Sequence, residues 1–135
     1  MKPIKLKIKT KAQEYSIIIG SNIFPNVSKI AKQNSLEFNK CLLVVDKNIS
    51  TKIINKIKKS LLGKKVYIHF FKASEINKNQ KNVNKILDIL LEKNFSREDC
   101  LISVGGGITG DISGFAASLF KSCLLYTSDA ADEED

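Results

Sequence analysis

Three consecutive glycines, Gly105, Gly106 and Gly107, follow the apolar run Cys100 to Val104 and precede Gly110 and Asp111. Glycine has no Cβ, so its amide can lie directly against an anion. A helix opening just after such a loop adds its own unpaired N–H groups and the positive end of its dipole. The chemistry that fits is the holding of a phosphate group, and Gly105, Gly107 and Gly110 have the G-x-G-x-x-G spacing of a dinucleotide pyrophosphate loop. A triphosphate-hydrolysing loop would need Lys and then Ser or Thr after Gly110. Asp111 and Ile112 stand there instead, and a carboxylate in that place would repel a terminal phosphate. In the standard dinucleotide fold the loop follows the first strand and the ribose-binding acid comes roughly 20 residues later. Here the loop comes late, and the candidate acid, Asp46, precedes it.

These residues need a scaffold that brings strand ends together. Ile4, Leu6 and Ile8 alternate with Lys5, Lys7 and Lys9, the period-2 pattern of a strand with one wet face. A second strand over Glu14 to Ile19 pairs with it through a turn at Lys11 to Gln13, and Pro25 suits the first turn of a short helix running to about Gln33. Lys40 to Asp46 is a continuous apolar run, as expected for a strand buried on both faces of a parallel sheet. A helix is expected from about Ser50 to Leu62, with isoleucines and leucines on one face, lysines opposite and Gly63 as the stop. Next come a strand over Val66 to Phe71, an amphipathic helix over Asn79 to Asn94, a strand over Leu101 to Val104 and a helix over Gly110 to Phe120. Alternation of strands and helices predicts an α/β fold: an N-terminal β-hairpin joined to a Rossmann-like parallel sheet with right-handed crossovers and flanking helices. Ligands of such a sheet gather at the carboxyl ends of its strands. Asp46 and the glycine loop both lie at such ends.

The chain has 135 residues, enough for one domain, and a formal net charge of +8. The basic bias is stronger over residues 1–128, where 22 Lys and Arg face nine acids, because the other five acids lie in the last seven residues. Only Arg97 is an arginine, and the lysines are spread among Ile and Asn without the aromatic interleaving that base recognition favours, which argues against a nucleic-acid partner. Cys41, Cys100 and Cys123 are an odd number without metal-ligand spacing; Cys41 and Cys100 sit in strand-like apolar runs, which suits a reducing cytoplasm. No apolar run reaches the roughly 20 residues needed to cross a bilayer, so no membrane association is expected. The final stretch, Cys123 to Asp135, loses lysine, asparagine and isoleucine and turns acidic. It reads either as an acidic disordered tail or, as favoured here, as non-native sequence, giving a division into a partial α/β domain over 1–121 and a tail over 122–135.

Three motifs together resemble the N-terminal half of the 3-dehydroquinate synthase family, collinearly over most of residues 1–121. VVDKNIS, Val44 to Ser50, resembles its Asp-x-Asn strand end. SEINK, Ser74 to Lys78, resembles its Gly-Glu-x-x-Lys segment with serine for glycine. GGGITGDISGFAAS, Gly105 to Ser118, resembles its glycine loop and following helix and is the most specific of the three. The resemblance implies NAD binding. Asp46 and Glu75 would accept hydrogen bonds from the adenine-side ribose hydroxyls, an acceptor pair that repels a 2′-phosphate and favours NAD over NADP. Asn48 would contact the adenosine side, and Lys78 would orient Glu75 or contact the cofactor. Gly105, Gly106, Gly107, Ile108 and Gly110 would form the pyrophosphate cradle, with Gly106, Gly107 and Ile108 giving their amides. Asp111 would cap amides at the helix start and reach toward the nicotinamide ribose, and Gly114 would let the helix pack closely on the sheet.

The resemblance also implies an activity, the conversion of 3-deoxy-D-arabino-heptulosonate 7-phosphate to 3-dehydroquinate and phosphate in the shikimate route to aromatic amino acids and chorismate. It further implies catalytic NAD, a divalent metal (zinc or cobalt) and a homodimer. The family's metal ligands and most of its substrate-binding residues belong to a C-terminal metal and substrate domain beyond this stretch, so no catalytic or metal residue is assigned here. The fold is expected to be truncated before that domain, and turnover is not expected from these residues alone. The rivals are a sibling NAD-dependent sugar-phosphate cyclase, a metal-dependent alcohol dehydrogenase, disfavoured by Ile108 where such enzymes prefer lysine, and a non-enzymatic NAD-binding module. Individual residues have plainer roles open to them: Asp46 as a strand end, Glu75 and Lys78 as an exposed i, i+3 pair, Asp111 as a helix N-cap, His69 as a structural residue of its strand.

Overall fold

The computed structural model describes residues 38–120 in full and, outside them, the backbone of three strands over 4–9, 14–20 and 123–127. In chain order the elements are β1 (Ile4–Lys9), β2 (Glu14–Gly20), β3 (Lys40–Asp46), α1 (Thr51–Ser60), β4 (Lys65–Phe71), α2 (Gln80–Glu92), β5 (Cys100–Val104), α3 (Gly107–Phe120) and β6 (Cys123–Thr127). The six strands form one sheet in the order β1-β2-β6-β5-β3-β4. β1 and β2 pair antiparallel, with Ile4 opposite Ile19, and every other pairing is parallel. The expected hairpin and parallel sheet are therefore both present. The Lys11 to Gln13 turn and the helix expected from Pro25 to Gln33 lie outside the described residues.

β6 was not legible in the sequence. It comes from the stretch whose composition set it apart, yet its backbone lies between β2 and β5, with Ile17 opposite Leu124 and Leu101 opposite Leu124 on the other side. A short apolar run, Cys123 to Tyr126, provides the material for a strand, and completing the ladder satisfies backbone groups of both neighbours.

The sheet is covered on both faces, which explains why β3 and β5 are unbroken apolar runs. On one face α1 lays Ile53, Ile54 and Ile57 against Cys41, Leu43, Val45, Ile102 and Val104. On the other, α2 and α3 bring Val83, Ile86, Leu90, Ile112, Ala116 and Ala117 onto Leu42, Val44 and Leu101. β3 and β5 therefore contribute alternate side chains to two separate apolar layers. Burial of one such side chain stabilises by about 1.5–3 kcal/mol.

Local signals set the helix bounds. Ser50 caps α1, its Oγ accepting from Ile53 N at 3.4 Å, and Asn79 caps α2, its Oδ1 accepting from Asn82 N at 3.0 Å. At the opposite end of the sheet Lys40 Nζ donates to the carbonyls of Lys93 and Asn94 at 3.0 and 2.8 Å. It thereby satisfies carbonyls just past the C-terminus of α2, where Asn94 takes φ +56°. Asp99, 6% exposed, accepts from Lys40 N and Ser96 N at 3.1 and 2.9 Å, tying the start of β3 to the start of β5. Cys41 and Cys100 are buried, and burial pushes the Cys41 thiol up to about 12, leaving it an inert apolar group.

His69 is half-buried in β4, the edge strand, opposite Val44. Burial, and then the nearby Lys85 charge, hold its imidazole below the ordinary histidine value of 6.5. As pH falls through that value the unfolded chain takes up a proton that the folded chain resists, so stability is lost on acidification. Thermal melts should show a midpoint that falls between about pH 7.5 and about pH 5.5, with the fall reduced in His69→Gln. An unchanged slope in that variant would remove His69 from the account.

Candidate functional site

The site is built where connections leave the sheet in opposite senses. After β3 the chain passes through α1, on one face, to β4; after β5 it passes through α3, on the other face, to β6. β3 and β5 are neighbours, with Val45 opposite Val104. Their carboxyl ends thus stand where the connections to α1 and α3 diverge to opposite faces, the usual ligand position in an open α/β sheet.

Asp46 ends β3 and the glycine loop follows β5, so the pairing register brings them side by side. At Gly105, φ is +152°, and a Cβ would lie 3.0 Å from Thr109 Oγ1 and 3.1 Å from Asp46 Cβ. Only glycine permits that turn and that closeness together. At Gly106 and Gly107 the situation is reversed, since a Cβ on either would meet nothing within 4 Å. The loop is therefore pressed inward at its first glycine and open above the next two.

Helix α3 starts at Gly107, three residues earlier than the sequence indicates, with Gly110 N donating to Gly106 O at 3.1 Å. Reading the three glycines as loop put the start later, and glycine is a poor helix former. Packing overrides it here, because the fully buried Thr109 and the buried Ile112 hold the first turn against the sheet. Two consequences follow. The amides of Gly107, Ile108 and Thr109 are left without intrahelical acceptors and, with no acid in the first turn, form an anion-binding end. Asp111, now the fifth helical residue, cannot be the N-cap, which corrects the role expected for it.

Its carboxylate has another partner. Lys78 Nζ lies 2.9 Å from Asp111 Oδ2, so Lys78 pairs with Asp111 and not with Glu75 as an i, i+3 couple. The hydrogen bond to Asp111, then the Asp111 and Glu75 charges, raise the Lys78 ammonium above its ordinary range. Glu75 is exposed in the turn between β4 and α2, at the same end of the sheet as Asp46. Asn48 is exposed in the turn after β3, where its backbone N donates to Asp46 Oδ1 at 3.1 Å. This bond uses one of about four acceptor positions on the Asp46 carboxylate. The structure thus brings Asp46, Asn48, Gly105, Gly106, Gly107, Ile108 and Gly110 into one mouth, with Glu75, Lys78 and Asp111 along its rim.

Two hydroxyls were missed in the sequence. Ser103 Oγ and Thr109 Oγ1 are buried without a hydrogen-bond partner, Ser103 in β5 just before the loop and Thr109 beneath it. Ser113, also buried, donates to Thr109 O at 2.8 Å. The signal available was a hydroxyl residue inside each of two otherwise apolar segments. Among the described residues no group of three or more His, Cys, Asp or Glu could hold a metal ion, and no helix is long and apolar enough to cross a membrane.

The contrast between adjacent glycines is testable by melting. Gly105→Ala should destabilise by about 1–3 kcal/mol through its φ and the contacts with Thr109 and Asp46. Gly106→Ala should stay within about 0.5 kcal/mol of the parent. Equal midpoints for the two variants would contradict the loop geometry.

Comparison with known proteins agrees with this arrangement. A family model described as 3-dehydroquinate synthase N-terminal matches residues 68–127. The 3-dehydroquinate synthase of Pelagibacter ubique (strain HTCC1062) is 58% identical over 125 residues, covering 93% of this chain and 34% of that protein. The chain thus spans about a third of the length of that curated relative. Among solved structures, 2-deoxy-scyllo-inosose synthase complexed with carbaglucose-6-phosphate, NAD+ and Co2+ superposes with a TM-score of 0.68 at 19% identity, over 93% of this chain and 35% of that one. The 2-epi-5-epi-valiolone synthase from Streptomyces hygroscopicus subsp. jinggangensis 5008, with NAD+ and Zn2+ bound, superposes with a TM-score of 0.59 at 22% identity, over 89% and 33%. These two show a shared fold. The sequence matches place the chain in the 3-dehydroquinate synthase family, whose N-terminal portion it matches.

Proposed function

We propose that this chain is the NAD-holding part of a 3-dehydroquinate synthase, and that the whole protein converts 3-deoxy-D-arabino-heptulosonate 7-phosphate to 3-dehydroquinate and phosphate. The observation that carries the reading is the loop itself, pressed onto Asp46 at Gly105 and open above Gly106 and Gly107. A pyrophosphate needs that open space and the free amides beside it. The 58% identity to a named 3-dehydroquinate synthase, against 19% for the inosose synthase, favours this substrate over that of a sibling cyclase.

In this reading the amides of Gly106, Gly107 and Ile108 hold the pyrophosphate, while Asp46 and Glu75 accept from the adenine-side ribose hydroxyls. Asn48 fixes the Asp46 carboxylate through its backbone N–H and lies on the adenosine side. Bound NAD supplies reversible hydride transfer at a substrate hydroxyl-bearing carbon. In this reading the described residues of this chain serve to bind and orient the cofactor. A divalent metal such as zinc or cobalt would be held by residues other than the described ones, since these contain no ligand cluster. The same reading carries a soluble cytoplasmic homodimer in aromatic amino acid biosynthesis, acting on a small phosphorylated sugar acid, without a nucleic-acid or membrane partner.

Titrating the chain with NAD and with NADP is the test. NAD should bind more tightly, because a 2′-phosphate would meet Asp46 and Glu75. Asp46→Ala should lose about 1.5–3 kcal/mol of NAD binding, the usual worth of a hydrogen bond to a charged group. Gly106→Ala should keep its melting midpoint and lose affinity. Equal affinities for NAD and NADP, or an Asp46→Ala variant that binds NAD as the parent does, would contradict the assignment.

A further inference from the structure

Among the described residues Asp99, Ser103, Thr109 and Ser113 are the buried polar side chains, and the last three are fully enclosed. They meet in one layer. Alternate residues of β5 face opposite sides of the sheet; Ile102 and Val104 lie in the layer under α1, and Leu101 lies in the layer under α2 and α3. Ser103 therefore projects toward α3, as does Val44, its partner on β3. Two residues further on, a Cβ at Gly105 would lie 3.0 Å from Thr109 Oγ1, so Thr109 comes down onto the end of the same strand. Ser113 stands one helical turn beyond Thr109 and donates to its carbonyl at 2.8 Å, which leaves the lone pairs of the Ser113 oxygen to accept. A hydroxyl that is buried and unpaired is costly. Ser103 Oγ and Thr109 Oγ1 nonetheless have no partner among the described residues.

We propose that one water molecule is held between Ser103 Oγ, Thr109 Oγ1 and Ser113 Oγ, and that it ties the end of β5 to the first turn of α3 beneath the glycine loop. A buried water typically makes about three hydrogen bonds to groups that otherwise lack partners, and three hydroxyls converge here. Ser103 and Gly105 are about 7 Å apart along the strand. The reach of the serine and threonine side chains shortens that to a gap one water bridges. Ser103 and Thr109 are positioning residues in this arrangement. Through the water they hold Thr109 against Gly105, and so hold the tight turn above which the loop opens. The site is separate from the outer mouth and independent of what the mouth binds.

The 135-residue chain is tested in two ways. A crystal structure should show one water about 2.6–3.2 Å from all three oxygens. A direct bond between the Ser103 and Thr109 hydroxyls, a bond from either to another protein group, or no density between them would overturn the proposal. In solution, Ser103→Ala, Thr109→Val and the double variant are melted beside the parent. Removing one hydroxyl strands the water and its other partners, so each single variant should melt about 2–8 °C lower. The double variant should lose clearly less than the sum of the two, because both act through one water. A raised or unchanged midpoint in both single variants is the result for bare hydroxyls, whose removal relieves a burial cost, and it overturns the proposal. So do losses that add in full, which would mean that the two hydroxyls act separately. If a variant does not fold, the crystal structure of the parent still decides.

Discussion

The close approach of β5 to β3 at their carboxyl ends governs the mouth of this sheet. Gly105 makes it possible, because a side chain there would collide with Asp46 on one side and Thr109 on the other. Once the backbone turns at φ +152°, α3 can begin two residues later and its first-turn amides face outward beside the Asp46 carboxylate. A helix end with unpaired amides and the Asp46 carboxylate then stand together. Their separation is fixed by the strand register, in which Val45 and Val104 are opposite each other.

That economy has an electrostatic side. The anion-binding end of α3 carries no acid in its first turn, while Asp46 and Glu75 lie on the adjoining connections. Positive and negative poles thus stand on adjoining connections, an arrangement that suits the proposed dinucleotide with its pyrophosphate and ribose diol. Asp111 does not spoil the positive pole, because it lies a full turn into the helix and its charge is matched by Lys78. The lysines of α1 lie on its solvated face and bear little on the site.

Most of this was legible in the sequence because it depends on local chemistry. The continuous apolar run Lys40 to Asp46 marks a doubly covered strand and is one. Ser50 and Asn79 mark helix starts and cap them. Expected and observed bounds differ mainly at α3, where burial of Thr109 and Ile112 overrules the reluctance of glycine to be helical. Long-range facts were not legible. Lys78 and Asp111 belong to different connections, and no periodicity links them; the nearer Glu75 was the natural partner to expect. β6 was missed because the change in composition at Cys123 masked a short apolar run whose role only the neighbouring strands define.

Backbone amide resonances of the 15N-labelled chain, followed during addition of NAD, test the central claim most directly. The account predicts that the largest shifts fall on Gly106, Gly107 and Ile108, with Asp46 and Asn48 next and the core of α1 unmoved. Shifts that spare the glycine loop, or that centre on any other part of the sheet, would contradict it.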